Sequence, residues 1–319
     1  MQGRRPSSAS FAFPLPAAYV SVEDGGNIYS YINSTRSPTA TILKTNERKD
    51  PYAPYVAEFS SRSPSPAAHN ILKPDLVALG VEIVAAWSPI SPISDVSFDK
   101  RAFSYNIILG TSMSCPHCSG AAAYIKSLHP TWSPATIKYS LMTTNNIVPM
   151  SPEESCGAEF AYGVGNLNPH KSANSSLIYD IDALDYIAFL CGQGYNTKLL
   201  QAVTGDNSSC PKGTDGKVSD LNYPSFALST PSSNSISHVF NQTVTNVGTS
   251  TSTYKAKVSA PLGLSIKVNP SVLPFTCLKQ KLSFTLTIEG TIDRQIVSAS
   301  LIWDDCTFQV RSPIVPCTF

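Results

Sequence analysis

The run Gly110-Thr111-Ser112-Met113-Ser114-Cys115-Pro116-His117-Cys118-Ser119-Gly120 gathers hydroxyls, two thiols and an imidazole within a few helical turns' worth of sequence. A serine that follows a glycine turn and opens a helix suits a nucleophile. Its hydroxyl stands at the helix mouth, and the unpaired first-turn N–H groups and the helix dipole lie where an oxyanion would form. Ser112 is that serine. Without a base beside it, a serine in this place is only a helix N-cap. Cys115 and Cys118 form a C-x-x-C pair near the same helix start, the spacing of thiol oxidoreductases, in which a helix N-terminus lowers the first thiol's pKa. The segment therefore supports nucleophilic catalysis through Ser112, thiol–disulfide exchange through Cys115 and Cys118, or neither.

The elements around this run have the alternation of an α/β fold. A buried strand is expected over 81–87 and another over 103–109. A helix over 113–128 follows, stopped by His129-Pro130. A second helix is expected over 134–142, with Ser133 as N-cap and Pro134 at the first helical position. Upstream, the reading is a short helix over 28–32 after a Gly25-Gly26 turn, a strand over 39–44, and a Pro/Ser-rich loop over 51–70 around a strand at 56–60. From about 216 the period changes to two. Tyr254, Ala256 and Val258 alternate with lysines; Leu264, Ile266 and Val268 do so again; Leu282, Phe284, Leu286 and Ile288 alternate with Ser283, Thr285 and Thr287; Ala299, Leu301 and Trp303 continue the scheme. Short strands of this kind, separated by Gly/Pro turns, predict a small β-sandwich. The boundary falls in the polar stretch 207–220. The β part contains no catalytic cluster and reads as packing or partner contact.

Composition narrows the functional classes. A chain of 319 residues accommodates about two domains. A net charge of +1 excludes the basic footprint of a nucleic-acid binder. The longest apolar stretch, 76–87, contains Glu82, so no membrane span is expected. No Cys/His cluster has zinc spacing and no EF-hand loop is present, so neither a metal nor any other cofactor is expected. The chain has 8 cysteines, and Asn-x-Ser/Thr sequons stand at Asn33, Asn174, Asn207 and Asn241. With the low charged fraction of 14%, they point to a secreted glycoprotein. Arg4 and Arg5 precede an apolar stretch over 11–20, but Pro14 and Pro16 interrupt it, so it is not read as a signal peptide and the start at Met1 is suspect.

The Ser112 segment resembles the serine signature of the subtilases, the subtilisin-like serine proteases, and most closely their plant, cucumisin-like branch. The resemblance extends to Ile71-Leu72-Lys73-Pro74-Asp75, Thr131-Trp132-Ser133-Pro134, Phe160-Ala161-Tyr162-Gly163, Leu221-Asn222-Tyr223-Pro224-Ser225 and Thr243-Val244-Thr245-Asn246-Val247-Gly248, so it covers nearly the whole chain. It implies an organisation. Residues 1–50 would be the tail of a protease-associated insert, and 51–180 the C-terminal half of a doubly wound, parallel-sheet catalytic domain. Residues 181–215 would be a linker, and 216–319 a fibronectin type III-like sandwich. It also implies a serine endopeptidase acting on protein or peptide substrates, with Ser112 as nucleophile and its own N–H as one oxyanion donor. Cys191 and Cys210 look like a family disulfide pair, whereas the pairing of Cys277 with Cys306 or Cys317 stays open.

In this family the orienting Asp, the general-base His and the oxyanion Asn all precede the serine. No Asp-Gly-His-Gly-Thr-like segment occurs here, and none of the 5 histidines matches the base. His117 belongs to the serine signature itself and lies about 140° round the helix from Ser112. The chain by itself is therefore expected to be inactive, with a non-catalytic binding or structural remnant as the alternative reading. Two departures stand out. Ser61-Arg62-Ser63-Pro64-Ser65 replaces the usual Ser-Arg-Gly-Pro-Asn, and loss of glycine at Ser63 is expected to strain a turn. Ala78-Leu79-Gly80 replaces the usual Ala-Pro-Gly.

Overall fold

The computed structural model describes residues 12–44, 46, 49, 53–94, 96–144, 157–210, 221–230, 235–292 and 296–318. Two compact units emerge, Met1–Ser60 with Leu79–His117, and Ser61–Ala78 with Cys118–Phe319.

In the first unit, helix α1 (Val22–Ser34) starts at Ser21, whose hydroxyl accepts from the Asp24 amide. Glu23 and Asp24 sit in its first turn, where the dipole favours negative charge. The helix runs through Gly25-Gly26, where the sequence reading placed a turn. Each interior glycine costs about 1 kcal/mol, and the cap and the acidic first turn offset part of that. No residue of α1 is buried. Residues 39–44 and 56–60 are not strands, and neither joins a β-ladder among the described residues. Strands β1 (Ile83–Ala86) and β2 (Tyr105–Ile108) pair antiparallel, with Ile83 opposite Ile108 and Ala86 opposite Tyr105. Among the described residues no helix lies between them, and a parallel pair would need such a crossover. The pair is not buried on both faces as expected, since its residues alternate between half-buried and exposed.

Helix α2 (Thr111–Leu128) begins in the first unit and continues in the second from Cys118. There Ala121 and Ile125 pack with Ile137 and Leu141 of helix α3 (Pro134–Thr143). As the sequence suggested, Ser133 caps α3 and Pro134 takes its first turn. The Ser133 hydroxyl accepts from the Thr136 amide at 3.0 Å and donates to Asp180 Oδ1 at 2.9 Å. Short helices α4 (Glu159–Tyr162) and α5 (Pro169–Ser172) follow. A single parallel bridge, Val77 to Asn166, joins the segment after Asp75 to the chain beyond α4.

The sandwich is built from β3 (Leu177–Ile178), β4 (Phe226–Thr230), β5 (Ser235–Asn246), β6 (Ser252–Ser259), β7 (Leu264–Asn269), β8 (Val272–Phe275), β9 (Lys281–Thr291), β10 (Ala299–Asp304) and β11 (Gln309–Thr318). One sheet has the order β4-β11-β10-β6-β8 and the other β3-β5-β9-β7. The inward residues of the period-two strands form the core, with Phe284 edge-on to Trp303 at 5.1 Å and Phe226 edge-on to Phe240 at 5.2 Å. That core does not stop at residue 216. β3 pairs with the end of β5, and Tyr139, Leu177 and Tyr179 are buried in the same cluster as Trp303. Between β3 and β4, helices α6 (Ala183–Gly192) and α7 (Thr197–Thr204) are tied by a disulfide from Cys191 to Cys210.

The Lys73-Pro74-Asp75 segment is anchored by charge. Asp75 is bridged by Lys73 Nζ at 2.7 Å and Lys138 Nζ at 3.0 Å and accepts from the Tyr223 hydroxyl. Burial pushes the Asp75 carboxyl up, but Lys138 and Lys73 outweigh it and hold the group below its ordinary range. Burial, and then Asp75, push the Tyr223 phenol well above its own. Gly163 stands beside this segment at φ +61, and a Cβ there would fall on the Pro74 and Asp75 carbonyls.

Candidate functional site: the start of helix α2

Two glycines set the geometry. Gly110 lies at φ +150, a conformation that L side chains rarely adopt, so only glycine makes this turn from β2 into α2 without strain. Its N–H donates to the Gly80 carbonyl at 2.8 Å, and its own carbonyl accepts from Met113 N–H at 3.0 Å. Gly80 is needed for a different reason. A Cβ on it would fall on Ser114 Oγ and stand 2.9 Å from the Gly110 carbonyl. The loop before β1 thus presses against the helix start, which a side chain at position 80 would prevent. In the sequence only the missing proline beside Gly80 stands out, because the contact with Ser114 arises in the fold.

Ser112 is the second residue of α2 and is exposed. Its hydroxyl makes no hydrogen bond among the described residues, and its N–H, in the first turn, has no acceptor one turn back. Three of the histidines have neighbours of their own. His117 Nδ1 lies 2.8 Å from the Met113 carbonyl, one turn behind it on the same helix. His129 Nε2 lies 2.8 Å from the Ala173 carbonyl, and its ring stacks on Trp132 at 3.9 Å. His238 packs edge-on to Phe240 in β5, and His170 is exposed in α5. His69 lies in the segment preceding Lys73.

Cys115 and Cys118 on α2 are not joined in a disulfide, and the first is exposed and the second half-buried. Cys115 is the fifth residue of the helix. Cys277, Cys306 and Cys317 are also free, so neither open pairing is made. Burial raises the pKa of Cys317 despite a contact with Ser229. The strain expected at Ser63 is not found. Its backbone is outside the left-handed region, and its hydroxyl bridges Lys73 by accepting from the amide at 2.9 Å and donating to the carbonyl. Asn33, Asn174, Asn207 and Asn241 are all exposed. A cleft of about 760 Å³ lined by His170, Lys257, Asp304 and Arg311 lies in the second unit. Its charges are paired, Lys257 with Asp304 at 2.8 Å and Arg311 with Glu159 at 3.8 Å.

Residues 27–165, which include Ser112, match the subtilase family, and residues 220–315 match a fibronectin type-III domain. The chain is 46% identical over 305 residues to subtilisin-like protease SBT4.8 of Arabidopsis thaliana, an alignment covering 94% of this chain and 43% of that protein. It is 45% identical over 316 residues to SBT4.3 of the same plant, covering 97% of this chain and 42% of the relative. This chain belongs to the subtilase family. The subtilase chain spans less than half the length of the curated relatives it matches, 43% of SBT4.8. Among its described residues no helix is long and apolar enough to cross a membrane.

Proposed function

We propose that Ser112 is the nucleophile of a serine endopeptidase acting on protein or peptide substrates, and that the 319-residue chain by itself does not carry out the reaction. The observation that supports the first part is the setting of Ser112, exposed on the second residue of a helix whose start is held by Gly110 and Gly80. A substrate carbonyl placed over the helix mouth would meet the hydroxyl, and its developing oxyanion would meet the Ser112 N–H. The second part rests on the base. A serine hydroxyl needs an adjacent base to attack at neutral pH, and Ser112 has none bonded to it among the described residues. In subtilisin, itself of this family and the source of the figure, loss of the base alone costs on the order of a million-fold in turnover. The purified chain is expected to remain unlabelled by a fluorophosphonate probe at concentrations that label an intact subtilase. Stoichiometric labelling at Ser112 would show that a base is in place.

The finer organisation belongs to the same reading. Residues 1–50 are the tail of a protease-associated insert, 51–180 the C-terminal half of a doubly wound catalytic domain, 181–215 a linker, and 216–319 a fibronectin type III-like domain. The protein is secreted and glycosylated at Asn33, Asn174, Asn207 and Asn241, whose exposure leaves each amide within reach of a transferase. Expression through a secretory pathway is expected to add mass that peptide N-glycosidase removes. An unshifted mass would count against both the glycans and the compartment.

A further inference from the structure

One of the four sequons borders a cavity. The cleft of about 760 Å³ in the second unit is lined by Asn174 and His170 from the chain around α5, and by Lys257, Asp304, Phe308 and Gln309 from the sandwich. Its size falls within the ~300–1,000 Å³ of pockets that hold small organic ligands. The Lys257 and Arg311 cations already have carboxylate partners in Asp304 and Glu159. The cleft therefore suits a neutral ligand rich in hydroxyls better than an ion. Amide, ammonium and carboxylate groups can exchange hydrogen bonds with such hydroxyls, and half-buried Phe308 offers an apolar face. A second observation concerns timing. Asn174 is exposed, but Ser176, which completes its sequon, is only 1% exposed. Thr35, Ser209 and Thr243, which complete the other three, are half-buried or exposed. The Ser176 carbonyl accepts from the Val247 and Gly248 amides at 2.8 and 3.0 Å, and a Cβ on Gly248 would stand 2.8 Å from the Ser176 Cβ. A transferase that reads Asn174 and Ser176 together must act before the turn after β5 closes over them. The residues from Lys257 to Arg311 are synthesised later still, so a sugar on Asn174 is in place before the cleft exists.

We infer that the first sugars of an N-glycan on Asn174 occupy this cleft. The inference rests on the reading that Asn174 is glycosylated and goes beyond it by giving that glycan a seat in the fold. Transfer from a polyprenyl-diphosphate-linked oligosaccharide forms a bond between Asn174 Nδ2 and the anomeric carbon. It breaks that carbon's bond to the phosphate oxygen and releases one amide proton with the polyprenyl diphosphate. Asn174 Nδ2 lies 3.5 Å from the carbonyl of His170, a residue that also lines the cleft, so the first sugar starts at the cleft's edge. Tethered there, the sugars meet the cleft at an effective concentration on the order of millimolar. Contacts too weak to retain a free sugar therefore retain this one.

The test is secretion of the 319-residue chain from a host that leaves high-mannose glycans, with the occupancy of each sequon read by glycopeptide mass spectrometry. An endoglycosidase that cuts between the first two sugars is then applied to the folded and to the denatured protein. In the folded protein, release from Asn174 should be at least about tenfold slower than from the other occupied sites, because cutting tracks the fraction of time the sugars spend outside the cleft. After denaturation the rates should be equal. Thr307→Trp places a large side chain at an exposed position that lines the cleft. It should bring Asn174 to the rate of the other sites while leaving their rates and the thermal melt unchanged. Equal rates in the folded protein, or slow release at Asn174 that Thr307→Trp leaves untouched, would overturn the proposal. Asn174 found bare while other sequons carry sugar would also overturn it, and would leave the glycoprotein reading standing at those sites. Bare asparagines at all four would remove both.

Discussion

Single residues decide how the Ser112 region and the segment behind it are held. Gly110 and Ser112 were both legible in the sequence, because a glycine turn into a helix with a serine at its mouth has a physical meaning of its own. Gly80 was not. Its requirement comes from a contact with Ser114 across a distance in sequence, which no local pattern encodes. The Ser63 reading failed for a related reason. A glycine in relatives suggests a special φ, but here the backbone is ordinary and the hydroxyl finds the Lys73 amide. Asp75 yields a quantitative expectation. Its carboxylate faces two lysines that are themselves partly exposed, so Asp75→Asn should cost about 2 kcal/mol, between the limits for surface and buried pairs. The pH dependence follows from its lowered pKa. The stabilisation should be fully present above the unfolded carboxyl value of about 4 and be lost as pH falls through the lower folded value. Urea titrations of both forms across that range would check it. A variant as stable as the parent at neutral pH would refute the anchoring role.

At the scale of elements, strongly periodic segments were readable and isolated ones were not. The alternation in β6, β7, β9 and β10 matches the strands found, because one face of each meets the core. The expected strands over 39–44 and 56–60 had suitable residues but join no ladder among the described residues, and a strand without a ladder has no stability of its own. Helix α1 went the other way. Two glycines argued for a turn, yet a good cap and an acidic first turn carry the helix through them. Helix α3 shows capping with a tertiary partner. Ser133→Ala removes the acceptor for Thr136 N–H and the donor to Asp180, and should lower stability by about 1 kcal/mol. Thermal melts would measure it, and Ser133→Asn, which can still cap, should recover part of the loss.

For the whole molecule, the change of period in the sequence marks a boundary near residue 216. The hydrophobic core crosses that line. Tyr139, Leu177 and Tyr179 share it with Trp303, and the Tyr179 hydroxyl lies 2.9 Å from Ser312 Oγ. Composition located the change of period but could not show which upstream residues fill the sandwich. A 216–319 piece is therefore expected to melt well below a 134–319 piece that retains α3 and β3. Equal melting temperatures would mean that the upstream residues only decorate the fold. The strand order has a further effect on how the molecule is made. β11 lies between β10 and β4, and its pairing with β4 is parallel. β11 is thus an interior strand of its sheet, paired on both sides, rather than a late addition to an edge. During synthesis β4 must wait, with its inner neighbour not yet translated, until the chain has reached residue 318. Nascent chains stalled shortly before that point should remain open to protease and chaperone, and release of a few more residues should seal them.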